Sequence, residues 1–311
     1  MTNTVFFPGL GLEFTLNRVA FTLLGRPVYW YGVIIACGFL LGVLLCCRLA
    51  PRFGLTEDHV MDMVFYVAPP GLIGVRAYYV IFNLDLYRRM DGSLDWGAIL
   101  RYSDGGLAIY GGIIGGLLGL LFYCRLKKIP FPVFADVVVH GLVIAQSIGR
   151  WGNFMNVEAY GSVTTAPWRM CSESIAAQLW RKGVLESEEA VTALLEGVTG
   201  VHPTFLYESL WNLAGFFLLY FLGKYMRKFD GQIFLSYVLW YGLGRTWIEG
   251  LRTDSLYFFG LELFGIPLRT SQVLAFTSAV LAGAVLLWQL KKQHDPAKLF
   301  VNRQQAGEGE E

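Results

Sequence analysis

Apolar residues in this chain come in long blocks rather than in short alternating runs. A helix needs roughly 20 apolar residues to cross a bilayer. Seven blocks meet that length, at about 28–47, 60–82, 105–124, 132–152, 204–223, 232–251 and 270–290. The second carries Pro69, Pro70 and Gly71, a break that spanning helices tolerate where neighbours cover the freed backbone. The pattern predicts an all-α polytopic membrane protein with seven transmembrane helices. Its parts are a 1–27 arm, spans 1–4 within 28–156, a head segment at 157–203, spans 5–7 within 204–290, and a tail at 291–311.

The shorter segments have patterns of their own. Phe6, Phe7, Phe14, Phe21, Leu23 and Leu24 predict an amphipathic arm lying against the membrane surface, and no basic stretch followed by a clean apolar core marks a signal peptide. In the head segment Ser172 is placed to cap a helix with Ile175, Ala176 and Leu179 on one face, ending at Gly183. Ser187 is placed to cap another, with Val191, Leu194, Leu195 and Val198 at helical spacing. Both stripes are expected to pack onto the membrane domain. The stretch from Gln304 to Glu311 reads as an acidic, disordered end.

Composition agrees with a membrane protein. The chain is 55% hydrophobic and 16% charged, against about 25% charged in soluble domains. A net charge of +1 gives no reason to expect nucleic acid. Cys37, Cys46, Cys47, Cys124 and Cys171 show neither metal spacing nor a disulfide framework.

Charge placement sets the expected orientation. Arg48, Arg52, Arg125, Lys127, Lys128, Lys224, Arg227, Lys228, Lys291, Lys292, Lys298 and Arg303 crowd the helix ends on one side, while the cations on the other side are spread over longer segments. The crowded side is the cytoplasmic one. The N-terminus and the small head segment between helices 4 and 5 are then outside, and the C-terminus is cytoplasmic.

Arg76, Arg150 and Arg245 fall inside the spans, where charge is costly and marks function or pairing. Given the orientation, the polar residues share one depth. Tyr31, Gly105, Gly106, Tyr110, Tyr207 and Glu208 lie near the external starts of their helices. Arg76, Arg150, Asn153, Tyr241, Arg245, Glu249 and Arg252 lie toward external ends, and Asn156 and Glu158 follow helix 4. This points to one site in the outer half of the bilayer. Tyr241, Arg245 and Glu249 form a helical stripe in which Glu249 is able to hold Arg245 or Arg252. Two arginine forks suit a phosphate, which at that depth belongs to lipid headgroups. The helix-3 glycines Gly111, Gly112, Gly115, Gly116 and Gly119 fit close helix packing. His140 is expected to face the core.

Three stretches carry a family resemblance: Gly149-Arg-Trp-Gly-Asn-Phe-Met-Asn-Val-Glu158-Ala-Tyr-Gly161, His202-Pro-Thr-Phe-Leu-Tyr-Glu208, and Tyr241-Gly-Leu-Gly-Arg-Thr-Trp-Ile-Glu249-Gly-Leu-Arg-Thr-Asp254. Together the chain resembles the bacterial prolipoprotein diacylglyceryl transferases over about 27–290. Tyr31-Gly32, Arg76 with Tyr79, and Gly105-Gly106 fit the same pattern. The resemblance implies a multi-pass protein of the bacterial cytoplasmic (inner) membrane, with its active site facing the outer half. It implies transfer of an sn-1,2-diacylglyceryl group from phosphatidylglycerol to the lipobox cysteine of a preprolipoprotein. A thioether forms and glycerol 1-phosphate leaves, in the first step of lipoprotein maturation. Its partners are the lipid, the lipobox segment and the bilayer; no cofactor and no metal are implied.

By the same resemblance Arg150, Asn153, Glu158 and Gly161 match the signature, and Tyr241, Arg245 and Glu249 the second essential stretch. Arg150, Arg245 and Tyr110 are the expected catalytic residues. Tyr31, Arg76, Gly105, Gly106, Asn153, Asn156, Glu158, Gly161, Tyr241 and Glu249 are the expected lipid and substrate contacts. The chain departs from the family at Tyr110, where many members have His, and at His140, where many have Pro. The alternative reading is a lipid or solute transporter with an outer-leaflet anion site.

Overall fold

The computed structural model describes residues 2–102, 105–253, 257–263 and 266–308, without the side chains of 257–263, 266–268 and 307–308. Asp254 of the third motif, and 309–311 of the tail, lie outside the described residues. In chain order the elements are β1 (Thr2–Phe7), β2 (Leu12–Asn17), β3 (Val19–Leu23), β4 (Arg26–Tyr29), α1 (Trp30–Leu49), α2 (Glu57–Phe82), α3 (Trp96–Ile99), α4 (Ile109–Leu126) and α5 (Phe131–Asn156). There follow β5 (Val163–Thr164), α6 (Glu173–Arg181), α7 (Glu188–Leu195), β6 (Gly200–Val201), α8 (Thr204–Tyr225), α9 (Gln232–Leu251), β7 (Tyr257–Leu263), β8 (Ile266–Arg269), α10 (Thr270–Leu290) and α11 (Phe300–Glu308).

Six helices are long and apolar enough to cross a membrane: Trp30–Phe53, Glu57–Phe82, Ile109–Leu126, Phe131–Asn156, Thr204–Tyr225 and Thr270–Leu290. The seventh expected span coincides with α9, which is as long as α1 but carries Gln232, Arg245 and Glu249. Large apolar side chains stand exposed along these helices, among them Phe65, Leu72, Leu118, Phe221 and Leu281. Such surfaces belong against lipid. The molecule is a mostly helical, polytopic membrane protein. The all-α expectation needs one correction: among the described residues the chain also forms four two-stranded antiparallel sheets.

The chain divides into two compact units, Met1–Leu45 with Val138–Pro296, and Cys46–Val137 with Ala297–Glu311. In the first, α1 meets α5 through glycines, a Cβ at Gly42 falling 2.8 Å from the Gly141 carbonyl oxygen. α8 and α9 interlock through two tryptophans. The Trp211 and Trp240 rings stack at 4.4 Å, and each indole N–H donates to the other's carbonyl, at 3.0 and 2.9 Å. The rings fit because Gly215 lies under Trp240 and Gly244 under Trp211.

The N-terminal arm is not simply laid on a membrane surface. β1 and β2 form a hairpin whose Phe6 exchanges backbone hydrogen bonds with Cys171, at 3.0 and 2.9 Å. Val5, Phe7 and Leu16 from this hairpin share a core with Ile175, Ala176, Leu179 and Leu194. The head helices therefore bury their stripes largely against the arm, with Phe154 and Phe205 contributed by α5 and α8. Ser172 and Ser187 cap α6 and α7 as expected. Leu195 and Val198 remain exposed because α7 ends at Leu195.

In the second unit α2 runs unbroken through Pro69 and Pro70, where a break was expected. The glycine face of α4 explains it. Cβ atoms at Gly111, Gly115 and Gly119 would collide with the carbonyls of Gly74, Pro70 and Tyr66. The backbone exposed by the prolines is thus covered by a neighbour at close range. Asp62 pairs with Lys127 at 2.9 Å. The end expected to be disordered instead forms α11 through Glu308, anchored by the buried Phe300. Elsewhere His140 is buried, as expected.

Candidate active site

Arg150 is held by the last turns of α5 and Arg245 by the last turns of α9. Both reach Glu208, which lies in the second turn of α8 and is 5% exposed. Arg150 Nε pairs with Glu208 Oε2, and Arg245 Nη1 donates to Oε1 at 2.6 Å. Arg245 Nη2 pairs with Glu249 Oε2 at 2.6 Å, and Arg252 Nε lies 3.9 Å from the same oxygen. On each carboxylate Oε2 is held by charge without a well-directed hydrogen bond. Isolated charges at such burial would cost several kcal/mol each, a cost that pairing on both sides of Glu208 offsets.

Glu208 and Glu249 thus engage both arginines. Each arginine still keeps an unengaged group. Arg150 uses Nε on Glu208 and Nη1 on Asn153 Oδ1 at 3.4 Å, and Arg245 uses only its two Nη atoms. Arg150 Nη2 and Arg245 Nε have no partner among the described residues. These are guanidinium groups of the network left to meet a further acceptor.

A second branch extends from Arg150. Asn153 Nδ2 donates to Glu158 Oε1 at 3.0 Å, and Asn156 Nδ2 to the same atom at 3.3 Å. Arg18 Nη2 donates to the Asn156 carbonyl at 2.7 Å. Glu158 is aimed by strain. Val157 and Ala159, on either side, have φ of 53° and 56°, a left-handed conformation that is unusual for a β-branched residue. The turn is tied down on three sides. Thr204 Oγ1 donates to the Ala159 carbonyl, Gly161 N–H to His202 O at 2.8 Å, and Ser162 N–H to Leu251 O at 2.6 Å. Gly161 is required at this crossing, because a Cβ there would fall 2.8 Å from His202 Cβ and 3.0 Å from Leu251 O. His202 Nδ1 lies 3.0 Å from Tyr207 Oη, and burial lowers its pKa from the ordinary imidazole value.

Tyr31 lies against α5, its ring carbon 2.9 Å from where a Cβ on Gly152 would stand. Tyr241 stacks on Tyr237 at 5.7 Å, one turn before Arg245. Arg76, Gly105, Gly106 and Tyr110 belong to the second unit. There Arg76 is buried and its donors meet main-chain carbonyls: Nε on Ile99 at 2.7 Å, Nη2 on Ala98 at 2.7 Å, and Nη1 on Gly105 at 2.5 Å and Gly106 at 3.0 Å. Gly105 and Gly106 take φ of 77° and 68°. Tyr110 follows them, half-exposed, with its ring 6.3 Å from that of Tyr78 and its hydroxyl unpartnered among the described residues. Glu208 is the residue that sequence reasoning underweighted. A carboxylate in the second turn of a span, at the depth of two arginines, was the available signal.

Long apolar helices ending in a buried guanidinium–carboxylate network define a polytopic membrane protein with a polar site at the helix ends. The chain belongs to the prolipoprotein diacylglyceryl transferase family, whose family model matches residues 18–289. It is 39% identical over 279 residues to the phosphatidylglycerol–prolipoprotein diacylglyceryl transferase of Clostridioides difficile (strain 630), covering 90% of this chain and 97% of that one. Its identity to the Enterococcus faecalis protein of the same name is 40% over 295 residues, covering 93% and 95%. To that of Geobacillus kaustophilus it is 39% over 283 residues, covering 91% and 95%.

Proposed function

We propose that this chain transfers the sn-1,2-diacylglyceryl group of phosphatidylglycerol to the lipobox cysteine of preprolipoproteins; the relatives it matches are named phosphatidylglycerol–prolipoprotein diacylglyceryl transferases. The cysteine sulfur, as thiolate, attacks the glyceryl carbon that bears the phosphate ester. A C–S bond forms and the C–O bond breaks. The electron pair leaves on glycerol 1-phosphate, and the thiol proton is released. Negative charge grows on the departing phosphate, so fixed cations lower the barrier. The observation that carries this reading is the pair Arg150 and Arg245 fixed on one buried Glu208.

In this reading Arg150 and Arg245 bind the phosphate, and Glu208 and Glu249 set their forks. Asn153, Asn156, Glu158 and Gly161 shape the wall beside Arg150, while Tyr31 and Tyr241 position headgroup and peptide. Arg76 shapes the Gly105–Gly106 turn that delivers Tyr110, whose hydroxyl donates to the substrate. The setting is the bacterial inner membrane. In this reading seven spans, oriented by the crowded loop cations, leave the N-terminus and the 157–203 head outside, the 291–311 tail in the cytoplasm, and the site in the outer half.

The test uses membranes holding the protein, labelled phosphatidylglycerol and a lipobox peptide. Label joined to the peptide through a thioether is the expected result. Label crossing the vesicle without joining it would make the protein a transporter.

A further inference from the structure

In the second unit the turn between α1 and α2 and the loop between α4 and α5 enclose, with α11, a cavity of about 540 Å³. Small-molecule sites fall in this size range. Its polar lining is Thr56, His59, Lys127, Lys128, Gln304 and Gln305. Every one of these presents a cation or a donor, and among the described residues no carboxylate lines the cavity. The acids nearby, Glu57, Asp58 and Asp62, stand outside the lining, with Asp62 at 2.9 Å from Lys127.

Two features prepare the cavity for an anion. Lys128 is held in a left-handed conformation, φ 56°, just past α4, and its ammonium meets no partner among the described residues. His59 replaces the usual acid in the α2 capping box: its Nδ1 accepts the Thr56 N–H at 3.1 Å. An accepting Nδ1 places the ring proton on Nε2, a spare donor. The flanking ends of α1 and α4 add Arg48, Arg52 and Arg125, which raise the local positive potential.

The third wall is the C-terminal helix. Gly54, at φ 77°, lies so close to α11 that a Cβ there would sit 2.8 Å from Val301 Cα. Phe300 is buried, while Gln304 and Gln305 one turn on reach the cavity. An anion in the cavity would thus touch the loop lysines and α11 together.

We propose that this cavity is a phosphate site, filled by the phosphate of an anionic lipid headgroup or by free phosphate, and that the bound phosphate fastens α11 to the loops. The test is amide hydrogen exchange of 300–308 in the full chain, held in phosphatidylcholine nanodiscs. Sodium chloride, inorganic phosphate at matched ionic strength, and phosphatidic acid in the disc are compared. At ten times the dissociation constant, exchange through opening of α11 should slow about tenfold. Slowing by inorganic phosphate supports the site with a soluble ligand; slowing by phosphatidic acid alone supports it with a headgroup. Lys128→Gln should remove the slowing and Lys128→Arg should restore most of it. No slowing by either phosphate source, or equal slowing in Lys128→Gln, overturns the proposal.

Discussion

Glu208 touches Arg150 and Arg245 at once, so its charge decides the geometry of both. Glu208→Gln should lower transfer at least about a hundredfold, equivalent to ~2.7 kcal/mol of barrier. Glu249→Gln should cost less, because its close partner is Arg245 alone. Arg150→Lys and Arg245→Lys should each lose most transfer while inserting normally, since an ammonium cannot span two acceptors as a fork does. A transfer assay beside an insertion check reads all four, and near-normal activity in both Lys variants would remove the bidentate role. Tyr110 has a free hydroxyl on a half-exposed ring. Tyr110→Phe should weaken transfer about ten- to hundredfold, ~1.4 to 2.7 kcal/mol, while Tyr110→His should keep substantial activity. Wild-type behaviour in Tyr110→Phe would make the ring a packing residue. The arginines were legible from their cost inside a span. The role of Glu208 was not, because no helical spacing links it to Arg150 or Arg245, and only the tertiary fold brings the three together.

Helix lengths were read closely from the apolar blocks, and α9 and α10 coincide with their expected bounds. What periodicity could not give was partnership. An amphipathic hairpin and an amphipathic surface segment share one pattern, so the union of β1 and β2 with the head helices was hidden. Proline reads as a break by local rules, yet the glycines of α4 cover the site from a distant part of the chain. Glycine contacts at α8 and α9 lead to a test. A methyl at Gly244 would overlap the Trp211 indole, which is stacked and hydrogen-bonded. Overpacking of this kind costs ~1–3 kcal/mol, and the displaced backbone carries Arg245. Gly244→Ala should therefore lower the melting temperature in detergent and reduce transfer more than Gly283→Ala, which meets Leu239 only at 3.4 Å. Equal behaviour would separate the tryptophan lock from the site. The arm-head core gives a pH test. Burial pushes the Cys171 thiol from 9.0 to about 11. A thiol whose folded pKa is raised favours the folded head below pH 9, and that contribution is lost as pH rises toward 11. Head unfolding, followed by the fluorescence of Trp168 and Trp180, should accelerate across that window, and Cys171→Ser should flatten its pH dependence. An unchanged pH profile in the Ser variant would assign the loss to other groups.

At the scale of the whole molecule the open question is which side of the membrane each end occupies. The distribution of loop cations predicts the head outside and the tail inside, and the orientation decides which leaflet the polar residues face. Native cysteines report poorly on it, because Cys46, Cys47 and Cys171 are all buried. Folded Cys171 should therefore resist an impermeant maleimide whichever side the head lies on. Exposed lysines serve better. Lys182 follows α6 in the head, and Lys291 follows α10 at the start of the tail. Lys182→Cys should react with the impermeant reagent in intact spheroplasts. Lys291→Cys should react only after permeabilisation, and both should react to the same extent once detergent is added. The head result bears directly on the chemistry, because the turn that carries Glu158 and Gly161 is hydrogen-bonded to His202 and Leu251. A head on the cytoplasmic side would carry that turn, and the Arg150 branch it supports, to the inner leaflet. Reaction of Lys291→Cys in intact spheroplasts, with Lys182→Cys silent until permeabilisation, would thus reverse the topology and remove the outer-leaflet site together.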